Sequence, residues 1–470
     1  MKIKTSPRFR FSHFNGMKPE PVRRRSTLSA GSLVLAMVLL TAVTLLLSAS
    51  ARVAIAAGRE GRVVSFQTEE VKGGLSAAVQ SLTQPAEQSQ IQTRTQSKTP
   101  AQLQGTWVSG VWMHPGMFGP KQAEALSKMR TVLDDYAKAG INTLIMLVKD
   151  TSGYVYYQSD IGVKDPAYDW DFFGVFLSEA RQRNLTVHPW FCVFPEGALA
   201  GQVRQHPEWL IVGPGREMVR TVNPALSEVR AYEISLMTEL VKKYGLDWVH
   251  LDYIRFPCEP TEPYFSHDPK TLKLFKEETG IDFNGLKARD SGNPYWNVWL
   301  EWNRQQVTGF VKELKSELAA TGRQVKISAA VFPDADNARV LIGQDWARWA
   351  EQGLIDMLCP MLYTNDTALF DRLTRQAVAA GAEPGLKAGL EAEPGAPVVP
   401  VVKVNKTKGQ AKLLSKVLVC PGIGIGTSHN QSTPDLMMEE IKLARTAGAD
   451  GVIFFSGGSL TAPFLERLKN

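Results

Sequence analysis

His250 and Asp252 stand two residues apart in DWVHLDYIRFP, the segment from Asp247 to Pro257, and Tyr253, Arg255 and Phe256 follow before the proline. In a β-strand, side chains switch faces at every residue. Trp248, His250 and Asp252 would then share one face, and Val249 and Leu251 the other. The apolar pair can pack under helices, which leaves a histidine and a carboxylate stacked on the opposite side. A carboxylate at a strand's end, beside rings and a guanidinium, suits a site for a polar, ring-shaped ligand. The competing reading is an aspartate that caps the next loop by accepting from its backbone.

A strand-end site of this kind needs a scaffold that brings other strand ends to the same place. After Gly105 the sequence alternates apolar runs of strand length with longer segments of helical spacing. The expected strands are Trp107 to Met113, Asn142 to Lys149, Thr186 to Phe194, Trp248 to Phe256, Lys326 to Phe332, Asp356 to Tyr363, Val417 to Ile425 and Gly451 to Phe455. The expected helices include Lys121 to Ala139, Asp171 to Arg183, Leu226 to Tyr244, Trp296 to Ala320, Asp366 to Ala380 and Asp435 to Ala447, with glycines such as Gly140 and Gly245 where they should stop. Eight such units over residues 105–470 describe an α/β fold, a (β/α)8 TIM barrel, better than a doubly wound sheet. Two loop insertions stand out. Cys258 to Pro294 follows the fourth strand, on the face where barrel enzymes keep their sites, and Glu383 to Lys416 precedes the seventh.

The expected strand ends gather His114, Lys149, Asp150, Trp190, Glu196, Asp252, Arg255, Asp334, Tyr363 and His429 at one mouth. Carboxylates with aromatic platforms fit glycoside cleavage, which needs one group to protonate the leaving oxygen and one to attack the sugar or activate water. Asp252 is the first. For its partner, Asp334 after the fifth strand and Glu196 after the third are the choices, in that order; the seventh strand ends in Thr427, Ser428 and His429 without an acid. Asp366 reads as the cap of its helix. Trp190, Tyr253 and Tyr363 can stack on sugar faces or pack in the core. His114, Lys149, Asp150, His250, Arg255 and His429 complete the expected ligand-binding set. No G-x-S-x-G elbow supports serine hydrolase chemistry. His250 and Asp252 lack the further ligands a metal would need, so neither metal nor cofactor is expected. The glycines of PGIGIG, Pro421 to Gly426, read as close backbone packing rather than a phosphate cradle.

The formal charge of +6 over 470 residues is misleading, because residues 1–60 carry ten Lys or Arg against two acids and leave a net of −2 for the rest. Nothing in that balance argues for nucleic acid. The early positives precede an apolar run from Leu28 to Leu47 and the A-x-A sites Ala49 to Ala51 and Ala54 to Ala56. Residues 1–57 thus read as a signal peptide or a membrane anchor, and either would export the body to the periplasm, cell surface or medium. Residues 58–104, rich in Gln, Ser and Thr, read as a disordered linker. The four cysteines are too scattered for a disulfide framework, and buried free thiols are expected.

With these residues the chain resembles the bacterial glycosyl-hydrolase-like family 10. The likeness rests on GVWMHP, GINTLIMLVKD, HPWFCVFPEG, HLDYIRFP and DMLCPMLY, spans about residues 105–465, and is most specific at HLDYIRFP. It implies a barrel fold, an exported protein and Asp252 as the catalytic acid carried over from the family. Hydrolysis of an envelope polysaccharide, with peptidoglycan glycan strands as substrate, is likewise implied by the resemblance alone. A carbohydrate-binding or scaffold barrel without chemistry is the alternative.

Overall fold

The computed structural model describes residues 107–213, 215–258, 263–282, 293–382, 416–427 and 430–469. The expected export segment and linker, His429, and residues 383–415 of the second insertion lie outside the described residues. The first third of the barrel runs β1 (Val108–Met113), α1 (Gln122–Lys138), β2 (Thr143–Lys149), α2 (Phe172–Gln182) and β3 (Thr186–Cys192). A short helix α3 (Gly201–Gln205) and an antiparallel hairpin, β4 (Leu210–Val212) with β5 (Met218–Val222), then precede α4 (Ser227–Tyr244). Next come β6 (Trp248–Asp252), α5 (Pro269–Thr279), α6 (Trp296–Ala320), β7 (Lys326–Val331), α7 (Ala335–Leu341), α8 (Trp346–Glu351), β8 (Met357–Leu362) and α9 (Thr367–Gly381). The chain closes with β9 (Leu418–Val419), β10 (Gly422–Gly424), α10 (Pro434–Thr446), β11 (Gly451–Phe455) and α11 (Ala462–Lys469).

Parallel pairing runs β10-β11-β1-β2-β3-β6-β7-β8-β9, and β10 also pairs with β8, which closes an eight-stranded barrel. The expected seventh strand is the pair β9 and β10. It is interrupted at Cys420 and Pro421, where proline has no N–H to give to a ladder. Strand β6 alternates as its sequence requires. On β6, Val249 and Leu251 join the outer core under the helices, whereas Trp248 joins an inner cluster with Trp112, Trp190, Cys192, Cys359 and Ile453. Trp112 and Trp170 are buried and Trp107 partly so, packed against the core.

Helix ends follow their side chains. Asp171 accepts from Gly174 N, Asp366 from Ala368 N and Leu369 N, and Asp268 from Lys270 N and Thr271 N ahead of Pro269, each satisfying N–H groups that the first turn leaves open. Gly245 ends α4 at φ +61°, a left-handed conformation that an L side chain resists. The β4–β5 hairpin and α3, α5, α7, α8 and α11 were not among the expected elements. Cys192, Cys359 and Cys420 are buried free thiols, and Cys258 is exposed.

Candidate active site

Asp252 is the last residue of β6 and only 6% exposed. Its Oδ1 accepts from Tyr253 N at 2.6 Å and from Arg255 Nη1 at 3.0 Å. Among the described residues no donor reaches Oδ2. Tyr253 takes φ +50°, an uncommon conformation for a bulky residue, and this turn ends the strand and brings Arg255 back over the carboxylate. The guanidinium lies 4.2 Å from the Tyr253 ring centroid and 5.0 Å from that of Phe332, a geometry in which the ring faces attract it. Tyr363 stacks on Phe455 at 5.1 Å, and Trp190 and Trp112 meet Phe455 edge-on at 6.5 and 5.8 Å. Burial, and then the Asp252 charge, pushes the hydroxyls of Tyr253 and Tyr363 up, so both stay neutral. Asp252 therefore presents one oxygen beside an aromatic group at the carboxyl ends of the strands.

His250 lies below this level, fully buried, with both ring nitrogens engaged. Its Nε2 is 3.2 Å from Trp112 Nε1, and an indole can only donate, so network logic places the His250 proton on Nδ1. Nδ1 then donates to Ser328 Oγ at 2.9 Å, and the same oxygen lies 2.9 Å from Nδ1 of His188. Burial pushes His250 down to about 3, as this neutral form requires. The histidine expected to touch ligand instead ties three strands together in the barrel interior.

The exit of β2 holds a different charge group. Lys149 and Glu233 are 0% and Glu196 1% exposed, and the Lys149 Nζ lies 2.8 Å from Glu196 Oε1 and 3.2 Å from Glu233 Oε2. It also donates to Cys192 O and Val193 O at 3.1 and 2.8 Å. Two carboxylates share one cation here, and burial leads in raising Glu233 to about 8. Glu196 and Lys149, expected at the mouth, are instead closed within this cluster, because burying the ammonium requires partners on every side.

Asp334, the other expected partner, caps α7 through Asn337 N at 2.9 Å. Asp150 is half-buried. Its Oδ1 accepts from Ser152 N and Tyr154 N at 2.8 and 3.2 Å, and Oδ2 from the Tyr156 hydroxyl at 3.0 Å. His114 is exposed at the end of β1, and Trp190 lies in the inner wall with no partner for its Nε1 among the described residues. Sequence reasoning did not include Tyr156, Phe332 or Phe455 in the site; Phe455, as the last residue of an apolar strand, carried the same strand-end signal as Asp252. No group of three or more His, Cys, Asp or Glu side chains suited to a metal occurs among the described residues.

The family model described as Glycosyl hydrolase-like 10 matches residues 102–383. Glycosyl hydrolase YngK of Bacillus subtilis (strain 168) is 23% identical over 300 residues, covering 56% of this chain and 54% of that protein. Glycosyl hydrolase DigH of Escherichia coli (strain K12) is 25% identical over 280 residues, covering 52% and 60%. The chain thus spans little more than half the length of these relatives. Among solved structures, the PgaB (BpsB) glycoside hydrolase domain from Bordetella bronchiseptica superposes with a TM-score of 0.56 at 13% identity, covering 77% of this chain and 98% of that one. The catalytic domain of a β-amylase from Paenibacillus polymyxa gives 0.50 at 10% identity, covering 77% and 97%. At such identities the likeness concerns the fold alone, a (β/α)8 barrel. The match over more than half its length, together with the HLDYIRFP exit of β6, makes this chain a member of the glycosyl hydrolase-like 10 family.

Proposed function

We propose that the protein is an exported glycoside hydrolase of cell-envelope polysaccharide, acting on the glycan strands of peptidoglycan. The observation that carries this reading is Asp252, held at one oxygen by Tyr253 N and Arg255, with the other unoccupied beside aromatic rings. Apolar ring faces can pack on the C–H faces of sugars, and a fixed carboxylate can attack the anomeric carbon or take a proton from water. The basic start, apolar run and A-x-A sites of residues 1–57 support export. Glycan strands freed of stem peptides are the substrate to test: purified protein should release new reducing ends from them, and no release would sink the reading.

The second reading, a barrel that binds carbohydrate without cleaving it, draws on the engagement of Asp334 and Glu196 elsewhere. Binding to the same strands with no reducing ends released is its signature.

A further inference from the structure

We propose that Asp150, on the far side of Cys192 from Asp252, is the proton donor of the site. The inference rests on the glycosidase reading. It starts from the strand register: Lys149 pairs with Phe191 across β2 and β3, and Cys192 with Asp252 across β3 and β6. Asp150 therefore stands level with Cys192 on one side, as Asp252 does on the other. Two strand spacings put their main chains about 10 Å apart. Side chains can narrow that gap to the roughly 5–9.5 Å used by the carboxyl pairs of glycosidases.

A bulge explains how Asp150 comes to be there. The pairing passes from Leu147 with Trp190 directly to Lys149 with Phe191, so β2 carries one extra residue. Leu147 packs against the inner cluster and Val148 lies in the outer core. Without the bulge Lys149 would return inward; with it, Lys149 reaches Glu233 of α4, and Asp150 becomes the next residue able to turn to the barrel side. The Cys192 thiol senses both acids. Burial raises it first and Asp252 adds to that; Lys149 opposes, Asp150 adds a smaller share, and Arg255 opposes.

The surroundings of Asp150 suit an acid. Two backbone N–H groups fix Oδ1, which leaves Oδ2 to carry the proton. The Tyr156 hydroxyl beside Oδ2 can accept as well as donate, and it also interacts with Asp165. Burial leads in raising Asp150, with Asp165 adding to it, while Tyr156 and the two N–H groups oppose it. In the reaction the C–O bond to the leaving group breaks, its electron pair stays on the leaving oxygen, and the Asp150 proton goes to that oxygen. Water supplies the hydroxyl at the anomeric carbon, its remaining proton passes to a carboxylate, and solvent exchange restores the starting state.

Asp150→Asn keeps an oxygen for the two N–H groups, so folding should survive and can be checked by thermal melting. The probes are stem-peptide-free glycan strands and two aryl glycosides of N-acetylglucosamine, one with a dinitrophenyl and one with a methylphenyl leaving group. Expected are losses of about a hundredfold or more on the glycan and the methylphenyl glycoside. On the dinitrophenyl glycoside, whose leaving group needs no proton, the loss should stay within about tenfold. On glycan strands, the alkaline limb of the wild-type pH–rate profile should vanish in the variant. Tyr156→Phe, which retains the acid but removes a hydrogen bond that lowers its pKa, should move that limb to higher pH. Equal losses on both aryl glycosides, or an alkaline limb unchanged by either variant, would overturn the role of Asp150 while leaving the glycosidase reading intact. A wild type inactive on all three probes would remove that reading and this role together.

Discussion

Two strand exits of the same barrel hold buried ion pairs and use them in opposite ways. At the end of β6, Arg255 engages one oxygen of Asp252 and leaves the other unoccupied. At the end of β2, Lys149 is closed in by Glu196, Glu233 and the carbonyls of Cys192 and Val193. Both groups are buried, but one cation meets a single carboxylate at the end of β6 and two at the end of β2, and the β6 carboxylate is the one whose cation lies over aromatic rings. The closed cluster still bears on the open one, because Val193 N, beside a carbonyl that Lys149 holds, donates to Asp252 O at 2.9 Å.

The largest stability effect should come from opening the closed cluster. Lys149→Met leaves Glu196 and Glu233 buried without their cation, and losing one partner of a buried pair costs about 3–5 kcal/mol. Denaturant unfolding should register that loss, whereas Asp252→Asn, which keeps an oxygen to accept from Tyr253 N and Arg255, should cost less. Similar midpoints for the two variants would erase the distinction drawn between the exits.

A smaller effect is expected at Glu440 on α10, buried with no partner for either oxygen among the described residues and raised to about 8 mainly by burial. The folded state keeps a proton that the unfolded chain, with a pKa near 4.5, releases earlier, so stability falls as pH rises from about 4.5 to about 8. Glu233 contributes a slope of the same sign. Glu440→Gln stays neutral at every pH and removes that share of the slope, so the stability advantage of the wild type over the variant should shrink, or reverse, as pH rises from about 4.5 past 8. Parallel melting-temperature curves for the two proteins would show that Glu440 finds a partner.

The smallest effect is expected at Asp334. Removing its cap with Asp334→Ala should cost about 0.5–2 kcal/mol and change glycan cleavage only a few-fold. A hundredfold loss of cleavage at unchanged stability would make Asp334 the second carboxylate and leave Asp150 as a loop cap.

Much of this arrangement was legible in the chain. Alternation on Trp248 to Asp252 gave the correct inward and outward faces, and the boundaries of α6 match their helical pattern. Helix α5 also had its signals, Asp268 and Pro269 at the start and Gly280 at the end, but they lay inside what reads as a loop insertion. Other features had no local sign. A bulge leaves no trace in hydrophobic periodicity, so Lys149 read as facing the mouth, and its partner Glu233 stands 84 residues away on a helix whose other inward residues are apolar. The Asp334 cap turns on α7, a helix of seven residues, too short to show a period. His250 could be placed on the correct face, but that both its nitrogens would be taken by Trp112 and Ser328 depended on β7 pairing with β6 and on barrel closure bringing Trp112 of the non-adjacent β1 within reach.

The central claim is that the open oxygen of Asp252 acts on a glycan, and wild type against Asp252→Asn on stem-peptide-free glycan strands tests it most directly, with bound strand and released reducing ends measured in the same samples. The variant should bind the strands as the wild type does and release reducing ends at least about a hundredfold more slowly, the usual scale for removing a positioned acid or base. Release by Asp252→Asn at a near-wild-type rate would contradict the claim and make Asp252 a structural partner of Arg255 and Tyr253 N.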